Sequence, residues 1–209
     1  VKFYYTPGSI SLAVHIMLEM SGLEYESVAI DFSQKQQRSE SFLAINPLGR
    51  VPALETEQGV ITEALAILNY IDARIQSAAV DSAYIAPKSA YITAQVDAFN
   101  AFMASTVHVT HAHLWRSERW VDSESAKADM AQRVPQNLID QFSLIEEHWL
   151  MGDWVQGAQL TSSDLYLFTI SRWLKADGVE IQQFSKVHAH LLRMEQLKPV
   201  AFILNTYYS

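Results

Sequence analysis

The sequence predicts an α+β fold in two parts: a mixed N-terminal domain over residues 1–76 and an all-helical domain over 88–209. Three observations carry this. Short β-rich runs alternate with helical patterns in the order strand–helix–strand, then strand–strand–helix, up to Ile71. From Ser89 onward the apolar residues recur only at helical spacing. Between the two, Gln76 to Lys88 loses periodicity and carries Ser, Ala, Asp and Pro, so residues 77–87 read as a linker.

Taken in order, Lys2 to Tyr5 is a short strand closed by the turn Thr6-Pro7-Gly8. Ser9 or Ser11 then caps a helix with Leu12, Ile16 and Met17 on one face, ending at Gly22. Tyr25 to Ile30 is a second strand, and Ser33 to Glu40 is a polar loop or short surface helix. Val51 to Leu54 and Val60-Ile61 are strands joined by the turn Glu57-Gln58-Gly59. Thr62 reads as the N-cap of a helix carrying Ala64, Ile67, Leu68 and Ile71. In the helical part Ile92, Val96, Phe99 and Met103 form one stripe, and Val134, Leu138, Phe142, Ile145 and Trp149 another. Thr161 to Asp164 resembles a capping box, with Asp in place of Glu or Gln. The helix it starts, Leu165 to Ala176, is apolar nearly all round and is expected to be buried. Val187, Leu191 and Met194 mark a last helix before Pro199.

Composition narrows the function. A net charge of −8 with no basic tract argues against a nucleic-acid partner. With 0 cysteines there is no disulfide, no thiolate metal site and no cysteine nucleophile. No basic-then-apolar leader precedes the first strand, and no apolar run approaches the ~18 residues of a membrane span. The expected location is the cytoplasm.

One stretch, Phe42 to Ile67, concentrates the chemistry. Asn46-Pro47 with Gly49 is a turn signal. Pro52 cannot donate to a sheet ladder, so its strand must turn that end to an edge or a site. The exposed backbone of Val51, before a proline whose peptide bond can be cis, can pair with an extended peptide. Free N–H groups at Glu63, Ala64 and Leu65 favour a carboxylate or phosphate at the helix start. A peptide edge beside an anion hole suits a small acidic peptide.

These residues carry a resemblance. Ile45 to Leu54 (INPLGRVPAL), followed by Thr62 to Ile67 (TEALAI), is similar to the N-terminal domain of glutathione S-transferases. Phe3 to Ile16 (FYYTPGSISLAVHI) and Thr161 to Trp173 (TSSDLYLFTISRW) look most like the bacterial beta class. The resemblance implies a thioredoxin-like βαβ–α–ββα domain, a helical domain carrying the pocket for an electrophile, a homodimer and glutathione as cofactor. It implies that Val51 pairs with the cysteinyl unit and that Glu63 and Ala64 receive the γ-glutamyl end. Pro52 belongs to the same cofactor-binding set and has a structural role as well. Lys35 and Arg50 are candidates for the cofactor's charged groups, Lys35 for the glycine carboxylate, although each is also an ordinary surface charge.

The resemblance also locates a departure. Where the beta class has a cysteine between two serines, this chain has Ile10, which can neither form a mixed disulfide nor donate to sulfur. Ser9 takes the place of the catalytic serine of the insect delta class, in a similar context of two tyrosines, a proline and a glycine. A helix N-terminus favours an anion by ~0.3–1 kcal/mol, and a hydroxyl donating to a thiolate adds ~1.5–3 kcal/mol. Ser9 and Ser11 are candidates for this role, or are only helix caps; Tyr5 is the phenolic alternative, or part of the core. His108 falls where the beta class has its active-site histidine, but Val109 and Thr110 follow instead of lysine and glycine. His108 and His111 share a helical face while His113 points away, and no carboxylate at i+4 completes a metal site. No metal is expected. Trp115, Arg116, Arg119 and Trp120 make an aromatic and basic segment that lines a substrate pocket or packs against the linker. In the family's domain-interface helix, Trp173 is expected to pack and Arg172 can face the cleft.

The function these readings favour is sulfur transfer from glutathione to a hydrophobic electrophile. Alternatives are a glutathione-dependent reductase or isomerase, and a non-catalytic binding protein of the same fold, which Ile10 keeps open.

Overall fold

The computed structural model describes residues 1–77, 84 and 86–208. They form two compact units, Val1–Ala90 with Glu195–Ser209, and Tyr91–Met194. Most of the segment read as a linker, 77–87, lies outside the described residues.

The first unit is built on a four-stranded sheet in the order β2–β1–β3–β4. Strand β1 (Lys2–Tyr5) pairs in parallel with β2 (Glu26–Ala29) and antiparallel with β3 (Ala53–Thr56), which pairs antiparallel with β4 (Gly59–Thr62). Helix α1 (Ser11–Ser21) forms the crossover that joining the parallel strands β1 and β2 requires. It is buried along almost its whole length because α3 (Ala64–Ser77) and α9 (Lys198–Tyr207) both pack on it. Gly22 ends it in the left-handed conformation, φ 72°. A 3₁₀ turn, Gln36–Arg38, and the short helix α2 (Glu40–Ile45) occupy the polar stretch between β2 and β3. Ser39 Oγ caps α2 by accepting from Phe42 N at 3.2 Å, and the buried Phe42 ring packs edge-on against Tyr4.

Local boundaries differ from the sequence reading in four places, each with a physical reason. β3 starts at Ala53, not Val51, because Pro52 has no N–H to give the ladder; the Val51–Pro52 peptide bond is cis. Thr62 does not cap α3: it ends β4, and Glu63, with φ 68°, turns the chain so that α3 starts at Ala64. Neither serine caps α1 from the cap position, which Ile10 fills without a side-chain bond. At the other end of the chain, Pro199 does not follow the last helix. It sits in the first turn of α9, where a missing N–H costs nothing.

The second unit is helical. Helix α4 (Ala90–Phe102) runs through a π-helical turn, Met103–Val107, into α5 (His108–Trp115). Helix α6 (Glu124–Leu144) ends in a second π turn, Ile145–Trp149, and α7 (Ser162–Ser171) is buried throughout. The capping box is present: the Asp164 carboxylate accepts from Thr161 N at 2.7 Å. The same carboxylate takes Val155 N at 2.8 Å and His190 Nε2 at 3.0 Å, so one side chain ties a loop and helix α8 (Ser185–Glu195) to the start of α7. Glu146 caps α8 from outside, receiving the N–H groups of Lys186 and Val187. Among the described residues, no helix is long and apolar enough to cross a membrane.

Within the first unit, a buried histidine holds the end of the last helix against α1 and β2. His15 on α1 has no exposed surface; its Nε2 lies 2.9 Å from Ser27 Oγ and its Nδ1 3.3 Å from the Tyr208 hydroxyl. The rings of Phe3, Tyr5, Tyr25, Tyr207 and Tyr208 surround it. Burial pushes the imidazole pKa down to about 4 from 6.5. The unfolded chain therefore binds the proton more tightly. Stability from this group is complete above pH 6.5 and is lost as the pH falls through 4, by about 3 kcal/mol in all. Urea denaturation of the wild type and His15→Gln at a series of pH values checks this. The variant is expected to lose the part of the acid slope lying between the two values, and equal slopes in both would remove His15 from the account.

Candidate functional site

The sheet register decides what can meet at one place. Tyr4 is opposite Ala53 and Ala53 is opposite Thr62, while Tyr5 pairs with Ala29. Strands β1, β2 and β4 therefore leave, and β3 enters, at the same end of the sheet. The loop Thr6–Ile10, the Lys35 turn, Val51-Pro52 and the start of α3 all lie at that end. Of the sequence-predicted residues, Ser9, Lys35, Arg50, Val51, Pro52, Glu63 and Ala64 are gathered there by topology alone.

Asn46 shapes the approach to Val51. It is buried, and its side-chain amide donates to the Arg50 carbonyl at 2.7 Å while its Oδ1 accepts from Leu48 N at 3.1 Å. Its own carbonyl accepts from Gly49 N at 2.8 Å. Gly49 is required here: φ is 60°, and a Cβ would come within 2.6 Å of the Gln37 carbonyl oxygen. The loop so fixed presents Val51 with neither its N–H nor its C=O bonded to any described residue. Its side chain packs on the cluster of Tyr4, Ile30, Phe42 and Ala53. Pro52 is buried, and Arg50 and Lys35 are exposed, Lys35 in a left-handed turn with φ 55°.

At α3 the unbonded N–H groups fall on Ala64, Leu65 and Ala66, one residue later than the sequence suggested, because Glu63 itself supplies the carbonyl for Ile67 N at 3.0 Å. Glu63 holds its left-handed conformation without being glycine, a strained geometry that clusters at binding sites. An unpaired peptide edge and a helix start thus border one sheet end. Both suit a short peptide with a terminal carboxylate.

Ser9 is half-buried and already engaged. Its Oγ lies 2.8 Å from the Thr6 carbonyl and 2.9 Å from Ser11 Oγ, and it accepts from Ser11 N at 3.2 Å. A hydroxyl has one proton, so Ser9 can serve a new acceptor only by giving up one of these bonds. Ser11 is fully buried behind it, and the Ile10 side chain is buried as well. Tyr5 is buried in the aromatic cluster around His15, with its pKa raised by burial and by Tyr207, an environment that keeps the phenol neutral.

In the second unit, His108 follows the π turn, and its ring lies 5.2 Å from that of Trp173. His111 stacks on the same indole at 4.4 Å, so the two histidines do share a face, while His113 packs against Trp120. No grouping of His, Cys, Asp and Glu suited to a metal occurs among the described residues. A cavity of about 380 Å³ exists in the first unit, lined by Leu18, Leu23, Leu54, Gln58, Tyr70 and Arg74 among others. It lies by the β3–β4 hairpin, at the other end of the sheet, and is not the site described above. Sequence reading did not find the Asn46 clamp or the partner of His111, the buried Asp177. The first had a signal in the Asn-Pro turn; the second is a contact across 66 positions, which no local pattern announces.

The chain matches the family model described as "Glutathione S-transferase, N-terminal domain" over residues 1–73. It is 28% identical over 198 residues to "Glutathione S-transferase GstA" of Escherichia coli O157:H7, covering 94% of this chain and 93% of that protein. It is 27% identical over 181 residues to a maleylacetoacetate isomerase of Rhizobium meliloti, covering 83% and 82% of the two chains. Among solved structures, a glutathione transferase homolog from Sulfitobacter, with bound glutathione, superposes with a TM-score of 0.90 at 35% identity, covering 98% of this chain and 96% of that one.

The Asn46 clamp gives a test of the frame. Asn46→Ala removes both side-chain bonds that hold the loop, an expected loss of roughly 1–3 kcal/mol in urea denaturation. Asn46→Asp lacks the donor to the Arg50 carbonyl and is expected not to rescue it. A loss below about 0.5 kcal/mol in Asn46→Ala would mean that the loop keeps its shape without the clamp.

Proposed function

The chain belongs to the glutathione S-transferase family, and on that premise we propose that it is a cysteine-independent glutathione transferase, most like the beta class. The observation that carries this reading is the free peptide edge of Val51 beside the open start of α3. Glutathione, a tripeptide with carboxylates at both ends, supplies a thiol nucleophile when bound. Val51 offers its N–H and C=O to the cysteinyl unit. The N–H groups of Ala64 and Leu65, with the positive end of the helix dipole, take the γ-glutamyl carboxylate. Lys35 and Arg50 stand exposed at the same sheet end and can answer the glycine carboxylate, Lys35 first.

Ser9 is the hydroxyl we assign to the sulfur. Its bond to the Thr6 carbonyl must be exchanged for one to the thiolate. The gain of ~1.5–3 kcal/mol from a charged acceptor is therefore reduced by the ~0.5–1.5 kcal/mol of the bond given up. Ser11 holds Ser9 in place from a buried position. Tyr5 is assigned to the core, and Ile10 provides an apolar wall where a thiol would otherwise react. The electrophile pocket is assigned to the helical domain, with His108 and Trp173 on its wall. The protein is proposed to act in the cytoplasm as a homodimer, with α4 contributing to the interface. A glutathione-dependent isomerase is the second reading, favoured by the similarity to maleylacetoacetate isomerase; turnover without net consumption of glutathione distinguishes it.

Ser9→Ala tests the assignment. The bound thiol is expected to ionise at higher pH, read from its ultraviolet thiolate absorbance, and conjugation at neutral pH to fall about 5- to 30-fold, the equivalent of about 1–2 kcal/mol. Glutathione affinity is expected to change little. Ala64→Asp, which sets a carboxylate at the anion site, is expected to abolish binding. If Ser9→Ala leaves both the titration and the rate unchanged, Ser9 is a structural hydroxyl only.

A further inference from the structure

The helical unit holds an arrangement that glutathione binding does not use. Asp177, 2% exposed, follows α7 in a turn fixed by its own N–H, which bonds to the carbonyls of Trp173 and Leu174. Its carboxylate oxygens lie 2.7 and 2.9 Å from His111 Nδ1. The Trp115 indole N–H donates to Asp177 Oδ1 at 2.8 Å. The His111 ring is thus held twice: by the carboxylate at one edge and by the Trp173 indole, 4.4 Å away, on one face.

This geometry fixes the tautomer. A carboxylate only accepts, so the nitrogen facing it carries the hydrogen, and in the neutral ring Nε2 is left with a lone pair. The His111 side chain keeps 18% of its surface open. Its Nε2 has no partner among the described residues and is not one of the buried polar atoms left without one. The surroundings describe the ligand. Trp115 is 49% exposed, and His108 lies one turn back on the same face, with its ring 6.4 Å from that of His111. Asp177 and His108 are the titratable groups in contact with His111 among the described residues. The π turn Met103–Val107 just before this face is a feature found often at functional sites.

We propose that His111, with Asp177 as its positioning residue, forms a proton-accepting site on the helical unit for planar aromatic hydroxyl compounds. The ligand ring lies against the exposed indole of Trp115, and its hydroxyl meets His111 Nε2. The O–H bond breaks and leaves its electron pair on oxygen. The proton forms the Nε2–H bond, and the imidazolium charge is balanced by Asp177. No oxidant or second substrate is needed; the site shares His108 and Trp173 with the pocket assigned above, and its proton transfer takes place without glutathione.

The probe is 4-nitrophenol, whose anion absorbs visible light, titrated into the full chain without glutathione near neutral pH, where part of the free probe is still protonated and an imidazole can still accept a proton. Saturable quenching of tryptophan fluorescence with a matching rise in phenolate absorbance is expected. His111→Gln is expected to abolish the phenolate rise and weaken binding at least about tenfold. Asp177→Asn, which keeps an acceptor for Trp115, is expected to keep quenching but lose most of the phenolate. 4-Nitroanisole, which lacks the proton, is expected to quench without a visible band. Absence of a saturable phenolate signal in the wild type, or its survival in His111→Gln, overturns the proposal. Urea denaturation of each variant separates loss of the site from loss of the fold.

Discussion

The proposed glutathione site depends on one constraint, the register of three strands. Placing Tyr4 opposite Ala53 and Ala53 opposite Thr62 brings three chain crossings to one end of the sheet. A slip of one residue would turn the buried face of β3, with Leu54 fully inside, outward. Burial of Phe3, Leu54 and the α1 face therefore fixes the position of Val51, Glu63 and Ser9 without any contact among the three. The Asn46 clamp and Gly49 then set the last few ångströms of the Val51 approach. In this sense the binding edge is a by-product of the core.

In the proposed reading the chain, which has no cysteine, activates a thiol rather than exchanging with it. Ile10 is buried just before α1 and the chain has no cysteine, so a mixed disulfide with glutathione is not open to it. What remains is an apolar wall, a helix dipole and one hydroxyl with competing partners. That set can stabilise an anion but cannot trap one. The similarity to transferases and to an isomerase agrees with such a division, in which the fold supplies a held thiol and the helical domain selects the reaction.

Much of this was legible in the sequence, and the rest failed for identifiable reasons. The capping box at Thr161–Asp164 was readable because both halves lie within four residues. The turn at Asn46-Pro47 and the proline at 52 marked the unpaired edge at Val51 for the same reason. Element edges slipped where the backbone does something residues do not advertise, as with Glu63 in a left-handed conformation that favours glycine. The Asp177–His111–Trp115 network and the His15 cage join positions far apart in the chain, and no periodicity encodes such pairs. Helix α9 was invisible because Pro199 reads as a stop when it is in fact a start.

The central claim is that the Val51 edge and the start of α3 together bind glutathione. Calorimetric titration with reduced glutathione and, separately, with cysteinylglycine tests it most directly, because the dipeptide keeps the partner of Val51 and lacks the γ-glutamyl carboxylate. Glutathione is expected to bind with a micromolar to millimolar Kd, and the dipeptide at least about tenfold more weakly, the worth of a charge-assisted bond at a helix start. No heat with glutathione, or equal affinity for the two, would contradict the account.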